Sequence, residues 1–387
     1  MIDRNLSYHL CNGVDFDSKV NACIYAQTVN KPLEWMFHND TYGKYLWTIE
    51  PDESLDELYN QRCRQLREEF DYLILSYSGG SDTHNILESF IRQGLHIDEI
   101  VVNHISHATK NHTVLDPTVK VSWNFAAEHD LQVLPMLNYI KNKLPNTKLT
   151  VLDVSDLVLK SMQGFDDVEW VLDRNDYLSI GQLFRYNYFH FKEMKNQLDR
   201  GQKVGIIVGV DKPKSYITKN NEFFVSFNDS TANIVSIFTF KNEFTNISNV
   251  PFYWAHDTAK MVCKQAHAIK HWLEVNPHLQ KYWYMPNTTI VRKVHEKLLR
   301  NVLYTTWNDN WFQTEKGTSF WNSEFDTWFH KEKSLEREYT QWKRGLEYLA
   351  KKIPDYILYR DNKVDGLIPY RHSYYVGKMT TNIFGEK

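Results

Sequence analysis

The stretch Tyr72-Leu73-Ile74-Leu75-Ser76-Tyr77-Ser78-Gly79-Gly80-Ser81-Asp82-Thr83 decides the fold. Its first six residues form a short run with no polar alternation, as expected of a strand buried on both faces of a sheet. Two glycines follow almost at once. Asp82 to Arg92 then predicts a helix, with Ile86, Leu87, Phe90 and Ile91 on one stripe and Gly94 as its stop. A strand that hands over to a helix through glycines presents free backbone N–H groups and a partial positive charge, which attract phosphate. Hydroxyls on Ser78, Ser81 and Thr83 add donors. Asp82 would repel a phosphate, so a carboxylate at this place makes sense as a holder of Mg²⁺. The plainer alternative is a tight strand-to-helix turn with an Asp near its start.

Further strands are expected at Glu99 to Asn103, Leu149 to Leu152 and Val204 to Val208. Helices are expected to start at Asp116-Pro117, Ser155 and Ser179, the last running to about Asp199 with Met194 and Leu198 inward. Strand and helix alternate from about residue 70 to 230, which implies an α/β fold: a parallel sheet with helices on both faces. Ligands in such folds sit at the carboxyl ends of the strands. The loop Gly209-Val210-Asp211-Lys212-Pro213-Lys214 leaves the fourth strand at that edge. Lys212 and Lys214 there suit the β- and γ-phosphates and the charge that develops on a leaving pyrophosphate, and Asp211 suits a shared metal. The alternative is an exposed polar turn. Arg174 and Arg185 are further cations of the middle segment.

Before this core, a helix from Leu55 to Phe70 is expected to bury Leu55, Leu58, Tyr59, Cys63 and Leu66, with Asp56, Glu57, Arg62 and Arg64 on its wet face. After it the pattern turns helical, at Asp257 to Leu273 and Ser334 to Ile353, and a hairpin is expected around Asp361 to Gly366. Three regions follow: a mixed N-terminal segment, 1–70, a nucleotide-binding domain, 71–250, and a mainly helical substrate or lid region, 251–387.

The loop resembles that of the PP-loop ATP pyrophosphatases, whose signature is Ser-Gly-Gly-x-Asp-Ser after the first sheet strand. Ser78, Gly79, Gly80 and Asp82 match it, and Thr83 keeps the final hydroxyl. The resemblance covers about 160 residues and implies a Rossmann-like sheet, ATP with Mg²⁺, and adenylation of a substrate with release of pyrophosphate. It also implies that Asn103 and His104 lie near the adenine; the alternative for His104 is a plain strand-end histidine. In this scheme backbone amides of Gly79 to Thr83 hold phosphates, Gly209 belongs to the same site, Asp82 and Asp211 hold the metal, and Asp82, Lys212 and Lys214 carry the chemistry. The competing motifs GxxxxGK[ST] and GxGxxG do not follow the strand.

Within that superfamily the cysteines exclude branches. The chain has 4: Cys11, Cys23, Cys63 and Cys263, with no CxxC pair. Zinc-binding and thiolase patterns are therefore missing, position 2 is Ile rather than a nucleophilic Cys, and ammonia, an amine or a partner would have to supply any nitrogen. Two alternatives stay open: a phosphoadenylylsulfate reductase-like or sulfur-transfer enzyme, and a non-catalytic nucleotide-binding protein. His267 and His271 stand at metal spacing, i and i+4, but lack a third ligand. The segment Trp307 to Trp321 is aromatic and polar enough to stack a base or to anchor a loop. The net charge of −3 over 387 residues does not indicate nucleic acid. The N-terminus lacks a signal-peptide pattern and no long apolar run exists, so a cytoplasmic protein outside membranes is expected.

Overall fold

The structure, a computed structural model, describes residues 7–109, 128–162, 167–173, 191–230, 245–284, 289–308, 329–360 and 362–380. The helix starts expected at Asp116 and Ser179, Arg174, Arg185 and the aromatic segment beyond Asn308 lie outside the described residues.

The chain opens with a three-stranded antiparallel sheet, β1 (Tyr8–Cys11), β2 (Val14–Phe16) and β3 (Leu33–Met36), with α1 (Lys19–Val29) between the last two. Helix α2 (Leu55–Glu69) follows behind a complete capping box. Ser54 N–H donates to Glu57 Oε2 at 2.7 Å, and Glu57 N–H donates to Ser54 Oγ at 3.2 Å. Two otherwise orphaned donors are satisfied, which fixes where the helix begins. The predicted inward residues Leu55, Leu58, Tyr59, Cys63 and Leu66 are all buried. Arg62 is not on the wet face as expected. It is 4% exposed, donating to Asp257 Oδ2 at 3.0 Å and to Pro251 O at 3.0 Å. A carboxylate and a carbonyl brought from 189 or more residues away pair its two terminal nitrogens, which makes its burial tolerable.

The core is a five-stranded parallel sheet in the order β10-β7-β4-β5-β6. Its strands are β4 (Tyr72–Ser76), β5 (Glu99–His104), β6 (Lys148–Asp153), β7 (Val204–Val208) and β10 (Ile247–Pro251). Leu73, Leu75 and Ile207 belong to the large hydrophobic cluster that also holds inward residues of α2 and α3 (Ser81–Gln93). Ile74, Val101, Val204 and Ile206 form a second cluster with Met194 and Leu198 of α7 (Phe191–Asp199). Both faces are thus covered, which explains the unbroken apolar runs. Helices α4 (Ser106–Thr109), α5 (Leu134–Lys143) and α6 (Ser155–Met162) connect within the same half. Gly94 closes α3 in the left-handed region, at φ 60°.

The chain builds β4, β5 and β6 outward in one direction, then returns to place β7 on the other side of β4 and β10 beyond it. This reversal is a topological switch point, and the loops leaving β4 and β7 flank it.

Two features depart from the expected alternation. After β7 comes an antiparallel hairpin, β8 (Lys214–Ile217) and β9 (Glu222–Asn228), which β13 (Arg371–Lys378) extends into a separate sheet. The fifth parallel strand is β10, at a place where no strand was expected. The late helices are α8 (Ala259–Val275), α9 (Lys281–Tyr284), α10 (Thr289–Leu303) and α11 (Glu336–Lys352). The expected hairpin is present as β11 (Ile357–Arg360) and β12 (Lys363–Leu367). Among the described residues no helix is long and apolar enough to cross a membrane.

Candidate active site at the switch point

The loop after β4 starts alongside β5, where Tyr77 N–H donates to Val101 O at 2.9 Å, three residues before that strand ends. Gly79 sits at φ 73°, and a Cβ there would lie 2.8 Å from Val133 Cγ2. Both the backbone conformation and the space demand glycine. Helix α3 then starts with Gly80 as its cap and no side chain capping its first N–H groups. The N–H groups of the first turn therefore remain the loop's donors.

The loop hydroxyls do something other than expected. Thr83 Oγ1 donates to Gly80 O at 3.1 Å and accepts from Ser78 N–H at 3.4 Å; Ser78 Oγ accepts from Gly80 N–H at 3.3 Å. They staple the loop's own backbone into shape. Ser81 is buried and its Oγ lies 3.4 Å from Lys212 Nζ.

The loop after β7 closes on this turn. A Cβ on Gly209 would lie 3.0 Å from Thr83 N and 3.2 Å from Thr83 Cα, so only glycine lets the two loops meet. The next residues, Val210 and Asp211, are joined by a cis peptide bond. Lys212 Nζ donates to Asp82 Oδ1 and Oδ2 at 2.7 and 2.8 Å and stands 3.8 Å from Asp211 Oδ1. The expected trio Asp82, Asp211 and Lys212 is therefore gathered, with the ammonium between the two carboxylates. Lys214 lies farther on, at the first position of β8, where its register partner is Ser226.

A group of tyrosines backs the site; the sequence had marked only Tyr59 of them, and only as a core residue. Tyr304, just after α10, donates its hydroxyl to Asp82 Oδ1 and holds its ring 5.6 Å from Lys212 Nζ. Tyr253 donates to Asp82 O at 3.0 Å, and Tyr59 donates to Leu303 O at 3.1 Å. Burial, reinforced by Asp82, pushes the Tyr304 hydroxyl well above the ordinary tyrosine range, so it stays a proton donor. Tyr253 is pushed the same way by burial first and then by Tyr59 and Asp82. High aromatic content was the only hint of such a cluster.

Asn103 and His104 end β5 beside the loop. Asn103 is exposed. His104 Nδ1 lies 3.0 Å from Ser106 Oγ and 3.7 Å from Asp153 Oδ2, and its ring stacks on His129 at 4.0 Å. Burial, then His129, holds His104 below the ordinary histidine range.

Asp82 and Asp211 are partly exposed, at 19% and 40% for their side chains. Two carboxylates beside uncapped N–H donors suit Mg²⁺, which keeps several waters and takes further oxygens from phosphates. Among the described residues no group of three His, Cys, Asp or Glu could hold a metal alone. His267 Nε2 lies 3.0 Å from Trp47 O, and His271 is exposed, so that pair is not gathered on a common ligand position. All four cysteines are buried and none forms a disulfide.

A scan against models of known protein families matches none of them, and no curated protein matches the chain in sequence.

Proposed function

We propose that the chain binds Mg²⁺ and ATP at the switch point and adenylates a substrate with release of pyrophosphate, ahead of a nucleophilic substitution. The observation that carries this reading is the meeting of Asp82, Lys212 and Asp211 over an uncapped helix start, between two loops that only glycines allow to touch. Phosphates fit the N–H groups of the first turn of α3. Asp82 and Asp211 would hold Mg²⁺, which supplies charge neutralisation along the phosphates when bound. Lys212 exchanges Asp82 for the phosphates and stabilises the negative charge of the leaving group. Tyr304 keeps Asp82 oriented while Lys212 moves. Asn103 and His104 border the place where a base would lie.

Sulfur chemistry is the weaker reading. Burial pushes the Cys263 thiol up to about 12 and raises Cys63 further, so neither is a ready nucleophile. Buried cysteines outside any disulfide also suit a reducing compartment, and we place the protein in the cytoplasm.

The test is product analysis with doubly labelled ATP in a cell extract that supplies candidate substrates. The purified protein should form AMP and pyrophosphate, and Asp82→Asn should lose this activity by about a thousandfold or more. Release of orthophosphate instead of pyrophosphate, or full activity in Asp82→Asn, contradicts the assignment.

A further inference from the structure

The carboxylate oxygens that would face a metal are already engaged by the chain's own donors. Lys212 Nζ donates to Asp82 Oδ1 at 2.7 Å and to Oδ2 at 2.8 Å, so its ammonium spans the whole carboxylate. Tyr304 donates its hydroxyl to the same Oδ1. Asp211 Oδ1 accepts from the Lys212 backbone N–H at 2.6 Å and lies 3.8 Å from the ammonium. The ammonium is enclosed as well as paired. The Lys212 side chain is 9% exposed, with Ser81 Oγ 3.4 Å and the Tyr304 ring 5.6 Å from Nζ. A ring placed against a cation adds attraction, most where water is excluded.

One carboxylate cannot serve both cations. A hard divalent ion takes carboxylate oxygens directly, at about 2.0–2.1 Å for Mg²⁺, and the ammonium covers both oxygens of Asp82. Lys212 must therefore leave before Asp82 can act as a ligand. Its backbone limits how far it goes. Ahead of it, Trp254 Nε1 donates to Asp211 O at 3.1 Å, and Trp254 is itself buried. After it come Pro213 and then Lys214, which pairs with Ser226 in the hairpin. Only the flexible four-carbon stem is left to move. A displaced ammonium thus stays within a side chain's length of the same carboxylate, facing a like charge after losing its partner. A phosphate reverses that balance. It gives the ammonium a new anionic partner beside the uncapped N–H groups of α3, and Asp82 is released.

We propose that Lys212 is a gate on the metal site: it holds Asp82 until a phosphate-bearing ligand draws the ammonium away, so that the nucleotide enters before Mg²⁺. This deepens the nucleotide reading and rests on it for the ligand that opens the gate. The closed arrangement is made by the chain's own residues, so it is tested with metal alone.

The full chain is titrated with Mn²⁺ alone, a hard cation that also takes oxygen ligands, and the free ion is counted by electron paramagnetic resonance. The wild type should bind Mn²⁺ more weakly than about 1 mM. Lys212→Met, which keeps the bulk of the stem and removes the charge, should bind it at one site at least about tenfold more tightly. Lys212→Gln should repeat the gain. Adding Asp82→Asn to Lys212→Met should abolish the gained site. Calorimetry without metal should show the opposite change for an ATP analogue whose α- and β-phosphates are joined through carbon: the wild type binds it, and Lys212→Met weakens it by at least about tenfold. A misfolded variant would weaken both ligands, so a tighter metal with a weaker nucleotide separates the gate from damage to the fold. A wild type that binds Mn²⁺ more tightly than about 1 mM would overturn the gate whatever the variants do. So would folded variants that gain no metal affinity, a gained site that survives Asp82→Asn, or metal-free nucleotide binding that Lys212→Met leaves unchanged. A wild type that binds no nucleotide, with or without Mg²⁺, would sink the nucleotide reading, and the Mn²⁺ titrations would still decide whether Lys212 closes the site.

Discussion

Asp82 is held from three directions: by the ammonium of Lys212, by the hydroxyl of Tyr304, and through its own carbonyl by Tyr253. A buried hydrogen bond to a charged acceptor contributes about 1.5–3 kcal/mol, so the Tyr304 hydroxyl is an appreciable part of the local stability. Tyr304→Phe should lower stability by about 1–3 kcal/mol in denaturant titration while leaving the ring packing intact. An unchanged stability would mean that the hydroxyl does not hold Asp82 in solution. The two glycine-lined contacts, by contrast, were legible in the sequence as glycines and illegible as contacts. Gly79 and Gly209 stand out as residues that permit close approach, but Thr83 and Val133 as the atoms approached belong to other parts of the chain. Tyr304 was out of reach for the same reason. It follows Asp82 by 222 residues, and nothing local marks it.

At the scale of elements, Gly94 ends α3 as read, and the capping box at Ser54 and Glu57, which the sequence reading did not name, starts α2 by equally local chemistry. Ser54→Ala should cost about 1 kcal/mol, because it leaves the Glu57 N–H without its acceptor. Urea unfolding of the pair measures it, and a loss below about 0.3 kcal/mol would show that water replaces the cap. The strands β4, β5 and β7 were legible because burial on both faces removes polar alternation, whereas the edge strand β6, buried only at Thr150, was read from its apolar residues alone. The strand β10, Ile247-Ser248-Asn249-Val250-Pro251, was not, because its polar residues and terminal proline resemble a loop. Its place in the sheet comes from pairing with β7, a non-local event. Arg62 shows the same limit. Its charge put it on the outside, and Asp257 and Pro251 bring it in.

Across the whole molecule, buried charge ties the ends of the chain to its centre. Lys19 of α1 and His9 of β1 both meet Asp229, which follows β9, and Lys19 also donates to Ile368 O at 2.8 Å. Burial opposes ionisation of Asp229, but Lys19 and then His9 outweigh it and hold the carboxyl below its ordinary value. Its contribution is therefore present above the ordinary carboxylate range and lost as acid protonates it. Histidines set the earlier part of the acid limb. Burial lowers His84 from the ordinary 6.5 to about 4, and His38 likewise to about 4, with His256 adding to the effect. The unfolded chain binds these protons first, so stability is full above pH 6.5 and falls as the pH drops toward about 4. Each of these two residues accounts for on the order of 3 kcal/mol over that window. His84→Phe should flatten the limb by about one proton's slope when unfolding free energy is measured by urea from pH 7 to 4. An unchanged slope would mean that His84 titrates freely in the folded protein.

The claim that two loops at the switch point cradle a triphosphate is tested most directly by calorimetry. The ligand is Mg²⁺ with an ATP analogue whose α- and β-phosphates are joined through carbon, titrated into the wild type and into Gly209→Ala. The wild type should bind saturably at one site. The Ala Cβ, pressed against the Thr83 backbone, should weaken binding by at least about tenfold in a protein whose circular dichroism is unchanged. No binding to the wild type, or equal affinity in both proteins, would contradict the account.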